Sequence, residues 1–279
     1  MKNYAGLSGT AARIGESICS YGIKKFDIGI LLGTGWSEIL NSGLIIKSSL
    51  KLSSFLDYED SLTSHEQPKR IILAQYKNLN IIIIDSRIHM YEKIGRKEIN
   101  NLVRLQTEML IHTGIKKLVI TSGVGSLQAN IQTGDLVVTN NIITAFAPDP
   151  LVLSNQEFVS PQKTLDQNLV KIATNIGNKF YKGGKTHTGT HVMVRGPHIE
   201  SYKDKQIFAY HGGDVVGMST LPEILVCGLY SKRKIRCVSV NFVTNGTEQC
   251  SHKKNLLIGA KKAPYLSKFL LALFSEISK

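Results

Sequence analysis

The chain has 279 residues, 42% of them hydrophobic and 20% charged, with a formal net charge of +13 and a pI near 9.5. This is enough chain and enough apolar residue to bury a large core, which excludes a disordered or fibrous protein. The positive charge lies in short clusters (Lys24-Lys25, Lys232-Arg233-Lys234, Lys253-Lys254, Lys261-Lys262) with no interleaved aromatics. It reads as a solvated surface that favours small anions such as phosphate, not as a groove for nucleic acid.

Cys19, Cys227, Cys237 and Cys250 form no C-x-x-C pair and no zinc-like spacing. Free thiols in a reducing compartment are expected, and no metal site. The N-terminus lacks the apolar segment of a signal peptide, and the longest isoleucine run, 81–84, is too short to cross a bilayer. The expectation is a soluble cytoplasmic protein with no membrane partner.

In chain order, residues 8–22 read as an amphipathic helix, with Ala12, Ile14, Ile18 and Cys19 near one face. The run FDIGILLGTGWSEIL (26–40) reads as a buried strand, a Gly-Thr-Gly turn and a helix start. Glycines let the backbone approach a ligand, free N–H groups at a helix start attract anions, and Thr34 adds a hydroxyl. By itself the turn is equally well a plain strand-to-helix connection. Residues 43–68 read as irregular and polar, and His65 within them as a surface histidine.

Strands are expected at 70–76 and 80–85, joined as a hairpin, the second apolar on both faces and therefore central. It runs into SRIHMYEK (86–93), a dense polar set at a strand end. Arg87 and His89, two residues apart, project to one side of an extended backbone and together suit an oxyanion. A helix follows at 97–113, then the strand KLVIT (117–121) opening into the glycine-bearing loop SGVGS, a candidate backbone nest for an anion. Another strand starts after Asp135. From Thr144 to Gln162 the pattern is a long loop, either a lid or a subunit contact, with Phe158 placed to reach a neighbour.

Residues 164–178 read as a helix and 186–197 as a strand ending in GPHIES, with a helix over 200–211 holding Glu200 in its first turn. The block GDVVGMSTLPE (213–223) leads into a helix to Tyr230, with Pro222 in its first turn. The last core strand is IRCVSVNFV (235–243), and a C-terminal helix is expected that Pro264 bends or breaks. No repeat or linker divides the chain. Residues 1–279 therefore read as one α/β domain, a central mixed sheet flanked by helices. Its polar blocks fall where apolar strands stop, which is where open α/β sheets place their ligands.

Taken together, RIHMYE, GPHIES, VGMSTLPE and VTN, in that order, resemble the purine nucleoside phosphorylases of the trimeric, 6-oxopurine-specific class. The resemblance implies phosphate as co-substrate, no other cofactor, and a homotrimer. It implies phosphate contacts from Thr34, His65, Arg87, His89, Ser219 and the Gly123 N–H, which reverses the surface reading of His65. Tyr91, Met218 and His252 match groups that hold the ribose. Glu200 and Asn245 match the carboxylate and amide that bind the purine, with Ile199 beside the base; Asn245, His89 and Glu200 are the implied catalytic set. Asn245 in place of the aspartate of the 6-amino branch implies inosine and guanosine.

There are departures. Ser122-Gly123-Val124-Gly125-Ser126 replaces Asn-Ala-Ala-Gly-Gly, and His191 replaces a tyrosine. Ile199 replaces an aromatic, a loss worth about 1 kcal/mol of stacking. These leave two alternatives beside the main reading: a 5′-methylthioadenosine phosphorylase, against which Asn245 argues, and a catalytically weak nucleoside-binding homologue. A nucleic-acid binder rests on charge alone.

Overall fold

The computed structural model describes residues 4–59, 68–92, 96–147, 153, 157–247 and 252–279; His65 and Cys250 lie outside them. The fold is built on strands that are apolar on both faces. In β4 (Leu79–Asp85), Ile81 and Ile83 enter one core cluster while Ile82 and Ile84 enter another. Alternate side chains point to opposite faces, so such a strand must be covered on both. β3 (Arg70–Tyr76) pairs antiparallel with it, the chain reversing at Lys77 with φ +53°, and β1 (Ile28–Leu31) pairs parallel on its other side. β2 (Ile45–Lys51) adds to β3 at the sheet edge, within the segment read as irregular. Most of its side chains are exposed, so it carries no apolar alternation to mark it as a strand.

β5 (Lys117–Ser126) joins this open wing to a second set of strands: β6 (Leu136–Ile143), β7 (Thr186–Met193), β8 (Val215–Gly217) and β9 (Arg236–Asn245). The strand order is β2-β3-β4-β1-β5-β8-β7-β6-β9, and β9 pairs back onto β5. Five strands therefore close on themselves, with β5 shared between ring and wing. The run SGVGS, expected as a loop, is the second half of β5. Its partner explains this: Thr121 to Val124 lie opposite Val240 to Val243 of β9, and Gly125 opposite Asn245 across a bulge. Cross-strand pairing there outweighs the poor strand preference of glycine.

Helices α1 (Tyr4–Cys19), α2 (Arg96–His112) and α6 (Leu221–Leu229) pack on one face of the sheet, through Ile18, Met109 and Ile224 among others. α4 (Gln167–Phe180) and α7 (His252–Ile277) cover the other, through Leu169, Phe269 and Leu273. α3 (Pro161–Thr164) is a single turn at the end of the expected long loop, and α5 (Tyr202–Tyr210) follows β7. The expected break at Pro264 does not occur, since α7 continues through it. Pro264 sits on the exposed side of the helix, where a freed carbonyl is hydrated, while Leu266 and Phe269 hold the next turn in the core. Among the described residues no helix is long and apolar enough to cross a membrane.

Candidate active site

The ends of β1, β4, β5, β8 and β9 meet around a cavity of about 130 Å³. Nine of the residues singled out in the sequence line it: Thr34, His89, Tyr91, Gly123, Ile199, Glu200, Met218, Ser219 and Asn245. They come from segments more than 200 residues apart in the chain. Two glycines let these segments approach. A Cβ on Gly33 would stand 2.6 Å from both Ser122 Cα and Thr121 O. Gly196 has φ +72°, and a Cβ there would run into Met218 Sδ.

Among the lining residues, Thr34, Gly123 and Ser219 suit an anion. Ser219 stands two residues before α6, whose amino end carries partial positive charge. Thr220, at the cap of that helix, has φ +87°, and Ser86, at the end of β4, has φ +65°. Left-handed backbone at a non-glycine residue, β-branched in one case, costs about 1–3 kcal/mol and clusters at functional sites. Ser86 also explains a difference from the sequence reading. β4 stops at Asp85, so the two-residue spacing of Arg87 and His89 does not put them on one side.

His89 lines the cavity, whereas Arg87 is buried behind it. Arg87 Nη1 donates to Glu223 Oε1 at 2.9 Å, and Nη2 to the carbonyls of Leu31 and Thr121. Burial holds the His89 pKa down at about 4; the Glu92 hydrogen bond opposes this, and Arg87 and Lys69 reinforce it. His89 is thus a neutral imidazole at pH 7, stacked on Tyr91 with ring centroids 4.8 Å apart. Its Nδ1 lies 3.4 Å from Glu92 Oε1, which also accepts from Lys69 Nζ at 3.2 Å. Lys69 Nζ donates as well to Arg87 O at 2.9 Å, so one buried lysine steadies both the carboxylate and the strand end.

Glu200 and Asn245 line the same cavity. Glu200 lies one residue before Ser201, the cap of α5, and not inside the helix as the sequence suggested. A reciprocal box fixes that cap: Asp204 N donates to Ser201 Oγ at 3.1 Å, and Ser201 N donates to Asp204 Oδ2 at 2.9 Å. Burial raises the Glu200 pKa above the ordinary carboxylate value, against the pull of its own backbone N–H, Lys205 and His198. Asn245 ends β9, with Thr244 Oγ1 at 3.1 Å from its Oδ1. That hydroxyl also lies 3.2 Å from Val124 O, and its single proton serves one acceptor at a time.

His65 lies outside the described residues, and so does the His252 side chain, although His252 opens α7. Phe158 is 93% exposed, just after Glu157, which holds Arg104 through two contacts of 2.7 and 2.9 Å. Sequence reasoning assigned no role to Lys69, Thr244 or Glu223. Lys69 meets Glu92, Glu223 meets Arg87, and Thr244 meets the Val124 carbonyl, all contacts that spacing does not encode. His191 is buried, its pKa held at about 4 by burial and by Arg87, and neither ring nitrogen has a hydrogen-bond partner among the described residues. A wider surface hollow, about 580 Å³ between α4 and β7, is lined by Tyr181, Lys182, Lys185 and His187 and gathers none of the strand-end candidates.

Residues 28–275 match the family model described as the phosphorylase superfamily. The purine nucleoside phosphorylase of Mus musculus is 26% identical over 263 residues, covering 86% of this chain and 88% of the mouse protein. Among solved structures, Schistosoma mansoni purine nucleoside phosphorylase in complex with adenosine superposes with a TM-score of 0.82 at 22% identity, covering 97% of this chain and 98% of that one. The same Schistosoma protein in complex with inosine gives 0.81 at 22% identity, covering 97% of each chain.

Proposed function

The chain belongs to the phosphorylase superfamily, and on that premise we propose that it catalyses the reversible phosphorolysis of purine nucleosides, inosine and guanosine foremost, in purine salvage. One observation carries this reading: anion-suited groups, a carboxylate–amide pair, Tyr91 and Met218 all line a single cavity. Phosphate held by Thr34, Ser219, His89 and the Gly123 N–H attacks the anomeric carbon as the bond to the purine breaks. The ribosyl group passes through an oxocarbenium-like state while negative charge builds on the departing base. Asn245 donates to N7 and stabilises that charge, and the Glu200 carboxylate accepts from the N–H edge of a 6-oxopurine. Neutral His89 supplies a hydrogen bond without adding a proton to the phosphate.

Purified protein incubated with a nucleoside panel, with and without phosphate, tests the reading. Phosphate-dependent release of hypoxanthine from inosine is expected, with 5′-methylthioadenosine turned over far more slowly. A protein that binds inosine but releases no base under phosphate would instead be a nucleoside-binding homologue. Phosphate is the only co-substrate proposed, so the rate is expected to be unchanged in excess EDTA. The family resemblance implies a homotrimer and the exposed Phe158 suits a subunit contact; sedimentation equilibrium would measure the assembly.

A further inference from the structure

Lys205 is 3% exposed although lysine is seldom buried, and it lies on the inner side of α5. Its Nζ donates to Gly246 O at 2.7 Å. Gly246 directly follows Asn245, and Lys205 is five residues past Glu200. The lysine therefore ties the segment carrying the carboxylate to the strand end carrying the amide. We propose that Lys205 is a positioning and specificity-determining residue for the base: its ammonium braces the two recognition arms and supplies the positive charge beside the Glu200 carboxylate.

The chemistry follows from the two edges a purine can present. A 6-oxopurine offers an N1–H donor, which needs an ionised carboxylate. A 6-aminopurine offers a bare N1 acceptor, which needs a protonated one. Burial pushes Glu200 towards the protonated form. Among the described residues, Lys205 and the exposed His198 oppose that push, while Asp204 reinforces it. Lys205 is the buried member of this set, and its field is the least screened by solvent. Removing its charge would raise the proportion of protonated Glu200 and move the site from 6-oxopurines towards 6-aminopurines.

The inference rests on the phosphorolytic reading for its substrate class, so the test includes a measurement that needs no turnover. Calorimetric binding of hypoxanthine and of adenine is followed from pH 5 to 8 in wild type, Lys205→Met, Lys205→Gln and Lys205→Arg, alongside kcat/KM for inosine and adenosine. In the Met and Gln variants the acid limb of hypoxanthine binding is expected to move up by about one pH unit. Below the acid limb hypoxanthine should bind up to about tenfold more weakly than in wild type and adenine no more weakly, with phosphate affinity unchanged. Arg should restore the wild-type limb. Gln keeps a donor for Gly246 O, so it reports on charge even if Met fails to fold. An acid limb at the same pH in wild type, Gln and Arg, with an unchanged hypoxanthine-to-adenine ratio, overturns the proposal. If wild type binds bases with the expected pH dependence but cleaves no nucleoside, the phosphorolytic reading fails and the role of Lys205 stands.

Discussion

Asn245 meets the cavity at the last position of β9, its Oδ1 3.1 Å from the Thr244 hydroxyl. Orientation matters here because an amide turned by half a revolution would offer an acceptor to a leaving group that gains negative charge. Asn245→Ala is expected to lower kcat for inosine about a hundredfold, the usual loss when one donor to a developing anion is removed. Phosphate affinity should stay within about twofold, because the anion-suited residues come from other strands. Steady-state kinetics with phosphate and inosine varied separately would show this, and equal losses in both would contradict the assignment.

At the scale of elements, β5 brings wing and ring together, and its close packing is the test. Gly33→Ala would place a methyl 2.6 Å from Ser122 Cα and Thr121 O, both backbone atoms that have no side-chain freedom to yield. A loss of about 1–3 kcal/mol is expected from denaturant unfolding, together with weaker phosphate binding as Thr34 is displaced. The apolar strands β3 and β4 were legible residue by residue, because two-sided burial writes an unbroken apolar run. β2 and the second half of β5 were not, since one is an exposed edge and the other is set by a partner more than 100 residues away. The cavity residues were legible as blocks of unusual chemistry at strand ends. Their supports, Lys69 under Glu92 and Thr244 against the Val124 carbonyl, were not, because an isolated lysine or threonine carries no signal until its distant partner is known.

For the molecule as a whole, two buried neutral histidines set the response to acid. His89 and His191 have pKa values lowered from 6.5 to about 4, each chiefly by burial. The unfolded chain takes up protons first, so stability is complete above pH 6.5 and falls as pH drops from there towards 4. Two protons give a slope of up to about 2.7 kcal/mol per pH unit, while Glu200, its pKa raised by burial, works in the opposite sense within the same range. Urea melts across this range are expected to show the decline, and His191→Phe should remove about half of it.

The late position of β9 in the sequence bears on how the protein is made. This strand seals the ring between β5 and β6, so a nascent chain ending before Arg236 has two long strands, each with an unsatisfied hydrogen-bonding margin. Those margins are sheltered only once the segment Arg236–Asn245 has been made, the same segment that ends in Asn245. A ribosome-stalled or prematurely ended product would therefore tend to self-associate through β5 and β6.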